Sequence, residues 1–351
     1  MLDQFADTIR RASAQGTALR IRGGGGKDFY GVRLEGDVLD TTAHTGVVDY
    51  DPSELVITVR SGTPLAEVER VLAERGQMLA FEPPRLNATG TVGGAIASGW
   101  SGPRRVAAGA ARDFVLGVRL LDARARPLSF GGQVMKNVAG YDLSRFMAGS
   151  FGTLALITEV SLKVLPRPVA EATLRFELDE AAALDTINRW AGQPLPLSAS
   201  CHVDAALWVR LSGARAAVDA ALARLGGERV DDAEAARFWA SLRDQTHPFF
   251  TAAPSLWRLS IRGTAAPLGL GAQLTEWHGG LRWIATPLEA QVAHAAARGA
   301  GGHATLYRAD AARRAGGIQH LGSGVLALHQ RLKQALDPQG LFGAHRLHPD
   351  F

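Results

Sequence analysis

Apolar residues recur every three or four positions from Leu2 to Ala14 and stop short of Gly16, a pattern that predicts an amphipathic helix closed by a glycine. The period then changes to two. Residues 47–50 and 55–59 read as strands joined by the turn Asp51-Pro52-Ser53. A second helix is signalled by Thr63 as N-cap, Pro64 in the first turn, apolar Leu65, Val68, Val71 and Leu72, and Gly76 past its end. Residues 114–121 and 127–130 predict a hairpin, and 154–165 a long apolar strand that runs into Pro166 and Pro168.

Proline cannot continue a central strand, so the chain is expected to divide there, into residues 1–167 and 168–351. In the second part strand-like segments (172–178, 198–211, 256–261, 281–285, 303–307) alternate with helical ones (180–190, 214–225, 233–242, 288–298). That order suits an α+β domain, an antiparallel sheet with helices on one face.

Composition changes this picture little. With 351 residues, 46% hydrophobic and 21% charged, the chain has material for two cores. No apolar run is long enough to span a bilayer, and the first residues carry Asp3, Asp7, Arg10 and Arg11 rather than a signal peptide, so a cytoplasmic protein is expected. The net charge of +4 is spread along the chain without a basic block, which argues against nucleic acid. A single cysteine, Cys201, cannot hold an iron–sulfur cluster or close a disulfide within the chain.

The candidate chemistry begins where the alternating segment 17–21 runs into Arg22-Gly23-Gly24-Gly25-Gly26-Lys27-Asp28. Consecutive glycines let several backbone N–H groups converge on an anion, here expected to be a phosphate. A Walker A loop would need a glycine where Ile21 stands and Ser or Thr where Asp28 stands; a Rossmann fingerprint would need a third glycine where Asp28 or Phe29 stands. Both are excluded. A second glycine-rich run, from the diproline Pro83-Pro84 through Thr91, Gly93, Gly94, Ser98 and Gly99, lies about seventy residues on and suits the same long, doubly phosphorylated ligand.

In order, RGGGGKD, TVGGAIASG, SGPRRVAAGAARDFVLGVRLLD, MKNVAGYDLSR and GSFGTLALITEVSLKVLP resemble the FAD-binding domain of the vanillyl-alcohol oxidase / p-cresol methylhydroxylase superfamily. Within it, GQMLAFEPP and GGQVMKNVAGYD are similar to the FAD-binding subunits of bacterial glycolate oxidases. The resemblance is dense over residues 1 to about 167. Near the end, where members usually carry Asn-Pro-Gly-Arg, this chain has Gly343-Ala344-His345-Arg346.

The resemblance implies a two-subdomain FAD-binding domain of the vanillyl-alcohol oxidase type, then an α+β cap with an antiparallel sheet. It implies FAD contacts at Arg22 to Asp28, Pro84, Thr91, Gly93, Gly94, Ser98, Gly99, Arg105, Gly109, Asn137, Gly140, Asp142, Gly152 and Ile157. It further implies partners, a second FAD subunit and an iron–sulfur subunit, with a small 2-hydroxy acid as substrate of the complex and peripheral association with the inner membrane through those partners. Many members attach flavin through a histidine in the first glycine loop; Lys27 stands in this one, so noncovalent FAD is expected, and no metal. Members that oxidise hydroxy acids unaided carry histidines around a Gly-Asp-Gly-Asn stretch that this chain lacks. Its histidines are scattered, His303 being the remaining candidate base. Two alternatives stay open: a self-sufficient FAD dehydrogenase of a hydroxy acid or sugar, and a non-catalytic assembly subunit.

Overall fold

The computed structural model describes residues 1–132, 142–314, 317–318 and 321–351. Helices are mixed with strands that form one large antiparallel sheet and several smaller ones, an α+β fold. The chain divides into two compact units, the first comprising Met1–Trp100, Ala110–Pro166 and Leu321–Phe351, the second Ser101–Gly109 and Arg167–His320. Two segments therefore depart from a simple division at 167/168. The C-terminal segment belongs to the first unit because Leu341 and Phe342 are buried there with Ile9, Leu19 and Leu156. It is also tied to the first strand, Leu19 N donating to Leu341 O and Gly343 N to Leu19 O. Residues 101–109 belong to the second because Arg104 pairs with Glu171 at 2.7 Å and Trp277 Nε1 donates to Gly102 O at 3.1 Å.

In the first unit, helix Leu2–Gln15 buries Phe5, Ala6, Ile9 and Ala12 on one face. It ends as expected at Gly16, whose φ of 65° lets the following N–H of Thr17 reach back to Ala12 O. That helix packs on a short parallel pair, Leu19–Arg22 with Asp37–Asp40. A separate five-stranded antiparallel sheet runs in the order Val47–Asp51, Val56–Arg60, Leu156–Lys163, Val115–Leu121, Pro127–Gly131. One capping expectation fails: helix Leu65–Ala73 starts after Pro64 without a side-chain cap, because Thr63 Oγ1 donates to Arg60 O at 2.7 Å instead.

The second unit is built on an eight-stranded antiparallel sheet. The strand expected over 198–211 is a hairpin, Leu197–Val203 and Ala206–Gly213, turned at Asp204 and Ala205, whose φ values of 51° and 55° are those of a tight hairpin loop. Neither residue is glycine, so the turn carried no sequence signal. Strand Gln273–Glu276 was also not anticipated. Helices Glu180–Ala191 and Arg215–Leu225 cover one face through Leu174, Leu207, Val209 and Leu211, and Ala290–Gly299 packs with Trp257, Leu259 and Ala304. Helix Asp232–Arg243 lies on the other face, contrary to the one-face expectation: its Trp239 Nε1 donates to Thr173, the neighbour of Leu174 that points the opposite way.

Candidate cofactor-binding site

Strand Leu19–Arg22 delivers the four glycines into a cleft of about 690 Å³ of empty space, its mouth included, within the first unit. The two glycine-rich runs meet there. Gly24 O accepts from Asn87 Nδ2 at 2.7 Å and Thr89 Oγ1 at 2.8 Å. The approach is so close that a Cβ on Gly24 would lie 1.7 Å from Thr89 O, and one on Gly23 2.3 Å from Thr91 Oγ1. Gly25 adds a φ of +70°. The N–H groups of Gly24, Gly25 and Gly26 donate to no acceptor among the described residues.

The opposite wall is the short helix Val92–Ser98, capped by Thr91, whose hydroxyl accepts from Gly94 N at 3.2 Å. A Cβ on Gly93 would lie 2.6 Å from that of Ser61, so the helix rests directly on the turn that follows strand Val56–Arg60. Phe151, Gly152, Ala155 and Ile157 continue the lining.

Electrostatically the cleft is cationic. Asp28 is taken up by Arg22 at 2.8 Å and flanked by Arg20 at 3.7 Å. The Lys27 ammonium makes no hydrogen bond or ion pair among the described residues and sits 5.8 Å from the ring centre of Trp100. Burial, and secondarily the neighbouring Arg346, push its pKa down to about 8. Arg346 is 7% exposed and lies in the lining, its pKa pushed to about 10 chiefly by burial, with Asp28 opposing.

FAD contains a diphosphate, and the described cleft suits one: unsatisfied N–H groups, uncompensated cations and glycines that allow close backbone approach. Gly23–Gly26, Lys27, Thr91, Gly93, Gly94 and Ser98 would hold it.

Of the residues implied by resemblance, Arg22 to Asp28, Thr91, Gly93, Gly94, Ser98, Gly152 and Ile157 line this cleft. Gly99 instead terminates helix Val92–Ser98 with φ 65°, where a Cβ would meet Gly149 N at 2.9 Å. Pro84 is buried outside the lining. Arg105 and Gly109 belong to the second unit, Arg105 lying 4.3 Å over the Trp277 ring. Asp142 caps a short helix, accepting from Arg145 N and Ser144 Oγ, and lines a different cavity. Asn137 and Gly140 lie outside the described residues. Sequence reasoning missed Thr41, Ser61, Phe151, Ala155 and Arg346 in the lining; only Arg346 carried a signal, as the basic residue closing the altered tail motif.

His303 lies on strand His303–Arg308 of the second unit, opposite Ser260. Burial and then Arg258 lower its pKa, so the ring is neutral near pH 7. Other histidines have structural partners: His202 Nε2 meets Leu178 O at 2.9 Å, and His247 Nδ1 accepts from Phe249 N.

The family and relative matches define a flavoprotein, and the cleft suits its cofactor. Residues 2–131 match the FAD binding domain family. Among curated proteins the chain is 46% identical over 345 residues to glycolate oxidase subunit GlcE of Escherichia coli (strain K12), covering 98% of this chain and 96% of that one. It is 32% identical over 152 residues to glycolate oxidase subunit GlcD of Bacillus subtilis (strain 168), 43% of this chain and 32% of that one. The fold is that of p-cresol methylhydroxylase (TM-score 0.70, 15% identity, 100% of this chain and 88% of that one) and of alkyldihydroxyacetonephosphate synthase (TM-score 0.65, 14% identity, 97% and 74%). The chain belongs to the family of the glycolate oxidase subunit GlcE, a family of FAD-dependent oxidoreductases.

Proposed function

We propose that this chain is the FAD-bearing subunit of a multi-subunit oxidase of glycolate or a related small 2-hydroxy acid, holding FAD noncovalently and passing electrons to a separate iron–sulfur subunit. The observation that carries the reading is the near end-to-end match to the GlcE subunit, joined to a cationic glycine cleft. FAD supplies the two-electron redox chemistry when bound. This chain's part is to seat the diphosphate against glycine N–H groups and Lys27, while Phe151 and Ile157 supply apolar lining.

A noncovalent cofactor is supported by the described lining, which offers lysine and arginine rather than a thiol or imidazole. The need for an iron–sulfur partner follows from the single cysteine, Cys201, buried in the second unit. No described helix is long and apolar enough to cross a membrane.

A second reading, a self-sufficient hydroxy-acid dehydrogenase, is favoured by one observation. Arg258, set between the rings of Trp277 and Trp283, shares a sheet face with His303, a cation and a neutral imidazole suited to a hydroxy carboxylate. Anaerobic addition of glycolate to the purified yellow chain separates the two. Flavin that stays oxidised until partner subunits are added supports the subunit reading, and bleaching by glycolate alone overturns it.

A further inference from the structure

The C-terminal segment reaches the cofactor loops at three carbonyl oxygens. From helix Ser323–Leu336, Lys333 Nζ donates to Thr153 O at 2.6 Å and is itself anchored by Asp337 at 2.7 Å. Further on, Arg346 donates to Phe151 O at 3.3 Å and Lys27 O at 3.2 Å. Phe151 and Lys27 line the cleft from its two sides. The segment is held in place along the first strand, and Val32 N donates to Arg346 O at 2.7 Å.

These bonds use the terminal nitrogens of Arg346 and leave its buried Nε without a partner. The Lys27 ammonium next to it has none either. Lys27 is half-buried and Arg346 buried; two such cations side by side repel each other, and partly desolvated charge without a partner is held only at a cost. Nearby Asp28 is already engaged by Arg22 and Arg20. Both groups keep donors that an anion could satisfy.

We infer that Lys27 and Arg346 form a two-cation seat for the diphosphate of the cofactor, so that the C-terminal segment is an integral part of the cofactor site. The inference rests on the FAD-binding reading above and extends it to a residue near the opposite end of the chain. Arg346 acts doubly, as a charge on the diphosphate and as a brace between the loops carrying Phe151 and Lys27. Cofactor loading and docking of the tail are then linked, each favouring the other.

The test uses the full-length apo chain, with FAD binding followed by fluorescence quenching and inorganic pyrophosphate binding by calorimetry at two salt concentrations. Lys27→Met and Arg346→Gln should each weaken both ligands about tenfold to a hundredfold, the scale of a lost charge-assisted hydrogen bond. Both should flatten the salt dependence, and Arg346→Lys should restore most of the affinity. Should Arg346→Gln fold poorly, Lys27→Met decides, since that side chain braces nothing. Tight FAD binding unchanged in Lys27→Met, or lost in Arg346→Gln while pyrophosphate binding persists, overturns the seat and leaves the FAD reading standing. Pyrophosphate binding that the variants abolish, in a chain that ignores FAD, keeps the anion seat and removes the cofactor reading. A chain that binds neither removes both.

Discussion

In the second unit the fully buried guanidinium of Arg282 donates to Glu180 at 2.9 Å and to the carbonyls of Gly279 and Ala265, whereas in the first the Lys27 ammonium and the Nε of Arg346 have no hydrogen-bond acceptor among the described residues. The same contrast runs inside the first unit, where Lys333 is saturated by Asp337, Thr153 O and Phe342 O. Buried charge that is fully paired holds a fold together; buried charge left unpaired is tolerated where a ligand supplies the counter-charge. Arg282 and Lys333 are thus held by acceptors of the protein itself, whereas the Lys27 ammonium and the Nε of Arg346 are not, a state that the Nε atoms of Arg20 and Arg308 share.

The comparison breaks most readily at the paired cations. Lys333→Ala strands Asp337, 1% exposed, and should cost about 3–5 kcal/mol in chemical denaturation, with Arg282→Ala somewhat less because Glu180 keeps access to water. If either is neutral, pairing is not what holds these segments. Gly24→Ala comes next: a Cβ 1.7 Å from Thr89 O must part the two glycine runs, and FAD binding should be lost with about 1–3 kcal/mol of stability. Lys27→Met should instead leave the ligand-free chain as stable as before or slightly more so by thermal melting, since it removes an unpaired charge. A large destabilisation would place Lys27 with Arg282 and Lys333.

The smallest effect sharpens the comparison through pH. Lys27 titrates at about 8 in the folded chain against 10.5 as its ordinary value, so between these the unfolded chain binds the extra proton. Stability of the ligand-free chain should therefore rise across that window, while FAD affinity should fall as the ammonium loses its charge. The groups acting on this site include Arg346, Arg20, Arg22, Asp28 and Tyr30. Melting and FAD titration at pH 7 to 10 measure both trends, and Lys27→Met should flatten each.

Much of the glycine-lined cleft was legible because glycine is a local signal. A run such as Gly23 to Gly26 fits where backbone must approach backbone, and the contact of Gly24 with Thr89 is that requirement met. Helix Leu2–Gln15 was legible for the same local reason, a face of period 3.6 ended by Gly16. The hairpin at Asp204-Ala205 was not, because positive φ at ordinary residues is imposed by the paired strands and leaves no mark in composition. The position of Arg105 over Trp277 was not legible either, because it depends on a partner far along the chain.

Legible in the sequence alone were the glycine runs, the helix stops, the strand-rich second half and the lone cysteine, too few thiolates for an iron–sulfur cluster. Each is set by a residue's own conformational range or by its count. Only the tertiary structure decided that residues 321–351 return to the first unit, that 101–109 belong to the second, and that Lys27 and Arg346, 319 positions apart, share one cleft. Such pairings arise from burial and hydrogen bonding between segments whose separation along the chain carries no information about their distance in space.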